Sequence, residues 1–91
     1  MLIRSFDDMV SAACENSLAR LMFGKILEDS GVLRPSYCRD ACETAYAEGQ
    51  RAVGLVLFKM LHGLDEGLPL RCMREYGQWL AETYKEESNN G

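Results

Sequence analysis

The sequence predicts an all-α fold: a small three-helix domain with the central helix sandwiched between the other two. Three observations carry that prediction. Apolar residues recur at intervals of three and four in three separate stretches, which is the period of one helix face. Start and stop signals bracket those stretches, with Ser5, Asp40 and Pro69 at the beginnings and Gly31 and Gly63 at the ends. A length of 91 residues supports one core and not two.

The first helix is expected to begin near Phe6. Ser5 and Asp8 form a capping box with a shorter acid than usual, and Asp7 and Asp8 suit the positive end of a helix. Its apolar positions run from Phe6 through Val10, Ala13, Leu18, Leu21, Met22, Phe23 and Ile26 to Leu27, and Gly31 fits a left-handed cap. The stripe drifts, because Phe6, Val10 and Ala13 fall on one side and Met22, Phe23 and Ile26 on another. The helix therefore either curves round its partner or breaks near Asn16 and Ser17. Gly24 costs about 1 kcal/mol against Ala in a helix interior, so a close neighbour is expected there.

Pro35 ends any continuation and biases Arg34 towards an extended conformation, while Val32 and Leu33 are expected to tuck under the core. Asp40 and Glu43 then start the central helix. Its main stripe is Cys42, Ala45, Tyr46, Gly49, Ala52, Val53, Val56, Leu57, Met60, Leu61 and Leu64. Leu55 and Phe58 lie off that stripe, so the second half should be covered on two sides. Glu48 and Arg51, one turn apart, are placed to pair on the wetter side. After Asp65-Glu66-Gly67, Pro69 suits the first turn of a third helix, whose stripe is Leu70, Cys72, Met73, Tyr76, Trp79, Leu80 and Thr83. The whole chain, 1–91, reads as a single helical domain with residues 85–91 frayed.

Composition excludes several functions. A net charge of -4 with ten scattered basic residues argues against nucleic-acid binding, which needs clustered Lys and Arg. No apolar run reaches the roughly 18 residues of a membrane span. The N-terminus has neither a basic start nor a secretory apolar run, so the expected location is a cytoplasm where thiols stay reduced.

Chemistry is sparse. Cys38 and Cys42 are spaced to present two thiolates to one metal, with Cys14, Cys72 or His62 as further ligands. The competing readings are a disulfide and, for Cys14, Cys42 and Cys72 on apolar faces, simple core filling. No second close pair supports a metal, and the expectation is no metal and no cofactor. His62, the single histidine, lacks a nearby nucleophile and reads as a helix-end residue, so no catalytic residues and no enzymatic activity are expected.

Glycines and aromatics are more informative. Gly49 lies on the apolar stripe between Ala45 and Ala52, a notch for a close helix crossing with the first helix or with another protein; Gly54 follows it. Tyr76, Trp79 and Tyr84 offer contact area with polar tips, with Trp79 expected in the core and Tyr84 exposed. Gly49, Arg51, Gly54, Tyr76, Trp79 and Tyr84 are accordingly the interaction candidates. Three amphipathic helices in so short a chain leave apolar surface open, which favours homo-oligomerisation or docking on a partner.

The runs Leu18–Leu27, Ser30–Tyr37 and Tyr46-Ala47-Glu48-Gly49-Gln50-Arg51-Ala52-Val53-Gly54-Leu55 resemble a family of short tailed-phage proteins typified by one from a Bordetella phage. The Glu-Gly-x-Arg-x-Val-Gly-Leu signature is the specific part; Gln50 stands where the family usually has Arg. The resemblance implies a phage-encoded protein associated with virion morphogenesis, without an assigned catalytic activity. The expected function is a non-enzymatic virion-associated or assembly protein that contacts itself or other phage proteins, in the host cytoplasm or the virion. The alternative is a small phage protein that binds and inhibits a host or anti-phage defence protein.

Overall fold

The computed structural model describes residues 3–33 and 41–90. Among them are four helices and no strand: α1 Phe6–Ala13, α2 Ser17–Ser30, α3 Ala41–Leu64 and α4 Leu68–Asn90. The expected all-α class is present, but the expected first helix is two. Cys14 closes α1, and Asn16 has an extended backbone whose side-chain oxygen accepts a hydrogen bond from the Leu18 N–H at 2.8 Å. Asn16 is thus an N-cap, and the drift of the apolar stripe records two helices with different buried faces.

Local signals behave as their chemistry requires. The Ser5 hydroxyl accepts from the Asp8 N–H at 3.1 Å, while the Asp8 carboxylate reaches back to the Arg4 N–H at 2.9 Å. Gly31 adopts φ 69°, the left-handed region open to glycine at low cost, and caps α2. Between α3 and α4 the Asp65 side chain accepts from the Gly67 N–H at 2.9 Å, and Pro69 is buried in the first turn of α4. The helix assignment of α4 takes in residues 85–90, where the sequence predicts fraying.

The principal packing joins α2 to α4. Gly24 is buried, and a Cβ built on it would lie 2.2 Å from the Cys72 carbonyl oxygen and 2.7 Å from the Tyr76 Cβ. The close neighbour that Gly24 calls for is therefore the backbone of α4. The core consists of Val10, Cys14, Leu27, Val32, Leu61 and Cys72, flanked by Phe23, Leu55, Leu57, Phe58, Met60, Leu68 and Met73. Val32 is enclosed as expected, whereas Leu33 is exposed.

The central helix packs against α1, α2 and α4, although the tightest pairing in the molecule is that of α2 with α4. α3 meets α2 through Gly54, where an added Cβ would strike Ser30 at 1.9 Å from its Oγ and 2.5 Å from its Cβ. Its buried positions are Gly54, off the expected main stripe, and Leu61, on it. The stripe divides along its length: Tyr46 and Val53 are each 70% exposed and Val56 is 66% exposed, whereas Leu57, Met60 and Leu61 lie in or against the core, with the off-stripe Leu55 and Phe58 covered beside them as expected. Both faces of α3 are apolar, and periodicity does not rank them. The deciding contact is the closest approach, which Gly54 permits against Ser30.

Candidate functional site

A polar cluster fixes the frame beneath the open surface. Arg20 on α2 donates from Nη1 to the Cys14 carbonyl at 2.7 Å, closing the end of α1. Its Nε donates to both Glu75 oxygens on α4, at 2.9 and 3.2 Å. Arg71 adds a third bond to Glu75, 2.7 Å long. The Arg20 guanidinium holds the Glu75 carboxyl below the usual carboxylate range, with Arg71 contributing. One arginine therefore joins three helices, and the apolar stripe read from the sequence does not include its partner Glu75. Its flanking position beside the buried face of α4, on the same side as Cys72, is the signal that could have placed it.

The described thiols are structural. Cys14 and Cys72 are free, buried and hydrogen-bond neighbours. Burial pushes both thiols up, Cys72 to about 11, where the neighbouring Cys14 adds to the effect. Both are neutral thiols at physiological pH, which suits core filling better than nucleophilic or ligand chemistry. Cys38 and the Cys42 side chain lie outside the described residues. No group of three His, Cys, Asp or Glu converges as metal ligands would among the described residues. His62 is exposed and stacks on Phe58 one turn earlier, with ring centroids 6.5 Å apart.

The interaction candidates separate into different settings. Gly49 is exposed, and among the described residues an added Cβ would meet nothing within 4 Å. The crossing with the first helix expected at that notch is therefore not made; Gly24 crosses α4 instead. Gly54 is filled from within the chain by Ser30. Arg51 is half-buried and does not pair with the exposed Glu48; its Nε is enclosed and finds no hydrogen-bond partner among the described residues. Trp79, expected in the core, is 46% exposed and stacks on the half-buried Tyr76 at 6.0 Å, while Tyr84 is exposed as expected.

Sequence reasoning missed the ridge that links these groups. Leu18, Met22 and Ile26, four residues apart on α2, are all exposed, although the sequence places them in one apolar run with the buried Leu27. Their four-residue spacing, offset from that of Gly24 and Leu27, was the available signal. On one side of the ridge Leu18, Leu21, Met22, Lys25, Tyr76 and Trp79 line a groove of about 360 Å³. On the other, Ile26 faces Val53 and Gln50 of α3 across a second groove of about 340 Å³. Exposed apolar side chains therefore occur on α4, α2 and α3, with the Lys25–Asp29 ion pair, Ser30 and Gln50 among them at the grooves.

The molecule is a thin layer, 48 × 39 × 17 Å, with a radius of gyration of 15.4 Å where about 12 Å is usual for this length. It exposes 6679 Å², against about 5,300 Å² for a compact monomer of its 10.2 kDa mass. No helix of the described residues is long and apolar enough to cross a membrane.

The arrangement offers surfaces for contact and, among the described residues, no assembled reaction centre. Neither a curated protein nor a solved structure matches the chain. A family model described as Bbp19-like phage protein matches residues 11–74, from within α1 to the second turn of α4. That span takes in the Gly24 and Gly54 crossings and the whole open face of α3. With more than half of its length inside the match, the chain belongs to the Bbp19-like phage protein family.

Proposed function

We propose that this phage protein is a non-enzymatic virion-associated or assembly component that works through protein–protein contacts, as a homo-oligomer or on other phage proteins. The observation that carries the reading is the number of large apolar side chains left exposed, Leu18, Met22, Ile26, Val53, Val56 and Trp79 among them, by a layer only 17 Å thick. Surfaces of that kind mark interaction sites on small soluble chains. The charged groups support a protein partner over nucleic acid: Arg20 and Arg71 share the Glu75 carboxylate and Lys25 pairs with Asp29, so three of the basic groups are already engaged within the chain. The host cytoplasm during assembly, and then the particle, are the places where such contacts would be made.

Mass spectrometry of purified virions and of assembly intermediates tests this reading. Presence in either at a fixed ratio to a structural protein is the expected result. Absence from both, together with one stoichiometric host protein in a pull-down, would overturn it in favour of an inhibitor of a host or defence protein.

A further inference from the structure

We infer that the open face of α3 is a self-association seam, on which a second copy of this chain docks its own α3 in antiparallel orientation. The inference rests on the protein-contact reading above and names the partner of one part of that surface.

The seam is legible as a heptad. Tyr46, Gly49, Val53, Val56, Met60 and Gly63 follow at intervals of three, four, three, four and three, the spacing of a two-helix coiled contact. The row is centred about 130° round α3 from Gly54, at 100° per residue. Gly49 and Gly63 meet nothing within 4 Å, Tyr46, Val53 and Val56 are exposed, and Met60 is half-buried. Met60 leans against the core, and the other five are open among the described residues.

A second copy fits it by size and by charge. Antiparallel alignment centred between Val53 and Val56 sets Gly49 opposite Met60, Tyr46 opposite Gly63 and Val53 opposite Val56. Each large side chain then faces a small one or its equal. A parallel pairing would instead layer Gly49 on Gly49 and Tyr46 on Tyr46, alternating voids with crowding. Glu48 and Lys59, both exposed, lie on one edge of the seam. The antiparallel two-fold brings Glu48 of each copy beside Lys59 of the other, offset by about 3 Å along the axis at 1.5 Å per residue. The parallel one leaves them on opposite edges.

Area points the same way. The chain exposes roughly 1,400 Å² more than the compact norm for its mass. A standard interface covers about 800 Å² on each partner, so one isologous contact accounts for over half of the excess.

Light scattering after size exclusion, and sedimentation equilibrium, on the full chain provide the test. Wild type should weigh twice its 10.2 kDa chain mass at high micromolar concentration. Val53→Asp should be monomeric with an unchanged far-ultraviolet spectrum. Lys59→Glu, which places like charges at both ends of the seam, should weaken the dimer on the order of tenfold, and Glu48→Lys combined with Lys59→Glu should restore it. The two surface variants keep the test decisive if Val53→Asp fails to fold. A monomeric wild type overturns the inference, as does a dimer indifferent to Lys59→Glu or not restored by the double exchange. A monomer found in virions would sink the seam alone, and a dimer absent from virions and intermediates would sink the assembly role alone.

Discussion

Gly24→Ala separates two opposing effects at one position. In an exposed helix interior, alanine is favoured over glycine by about 1 kcal/mol. At Gly24 the new methyl would lie 2.2 Å from the Cys72 carbonyl oxygen, 2.8 Å from its carbon and 2.7 Å from the Tyr76 Cβ. Carbon contacts are comfortable only near 3.5–4.0 Å, so α4 must retreat by about 1 Å or more. The obstruction is backbone, which no rotamer change relieves. Retreat would also loosen the packing of Leu27 against Cys72 and stretch the Arg20–Glu75 bonds. Overpacking of this kind costs about 1–3 kcal/mol, and the upper end applies, giving a net loss of about 1–2 kcal/mol. Gly77→Ala is the control: Gly77 is exposed on α4, outside the proposed seam, with nothing within 4 Å of an added Cβ. It should gain about 0.5–1 kcal/mol. The two variants should then differ in melting temperature by on the order of 10 °C. Urea unfolding followed by circular dichroism, at one fixed protein concentration because association raises apparent stability, reads the difference. If Gly24→Ala is as stable as wild type, or both variants shift the same way, the α2–α4 crossing is wrong.

Further expectations concern the groups beneath the surface. Glu75→Gln removes the counter-charge of Arg20, whose side chain is only 12% exposed, and should cost about 1–2 kcal/mol at neutral pH. Because the folded-state pKa of Glu75 is lowered, its contribution is complete above the ordinary Glu range near pH 4.3 and is lost as pH falls through the lower folded value. Wild type and Glu75→Gln should therefore converge in stability on acidification, and curves that stay parallel down to acid unfolding would remove Glu75 from the argument. Cys14 and Cys72, buried with raised pKa values, should resist alkylation at mildly alkaline pH until the chain unfolds. Peptide-resolved mass spectrometry checks each thiol separately, and fast native labelling of either one would contradict its place in the core.

What could be read from the sequence was what a few adjacent residues decide. Ser5, Gly31 and Pro69 act on their own backbone or the next turn, so their positions carried their roles. Gly24 was legible as a demand for a close neighbour, since an interior glycine needs an offset, but the neighbour was not, because Cys72 and Tyr76 are about fifty residues away. Asn16 showed the same limit: a break was one of two readings, and the choice depended on the Leu18 N–H finding the Asn16 side chain. The stripe of α3 was right at Leu57, Met60 and Leu61 and wrong at Tyr46, Val53 and Val56, because periodicity does not say how far along a helix its neighbours reach. Trp79 was placed in the core on hydrophobicity, although its edge position on α4 leaves it beside a groove. Phage family membership came from the order of residues and not from any physical signal in them.

The two glycines of α3 make the open face more than leftover surface. Five residues apart, Gly49 and Gly54 point about 140° from one another around the helix, at 100° per residue. Each carries the same interior penalty of about 1 kcal/mol. At Gly54 the structure shows the offset, because Ser30 occupies the space a side chain would take. At Gly49 nothing in the described chain does so, and alanine there would stabilise an isolated monomer at no steric cost. Gly63, two heptads on, is open as well. The row that runs through Gly49 and Gly63 keeps heptad spacing on a different side of α3 from Gly54. In the proposed dimer a second α3, laid antiparallel, would fill the space at Gly49 with Met60, as Ser30 fills that at Gly54.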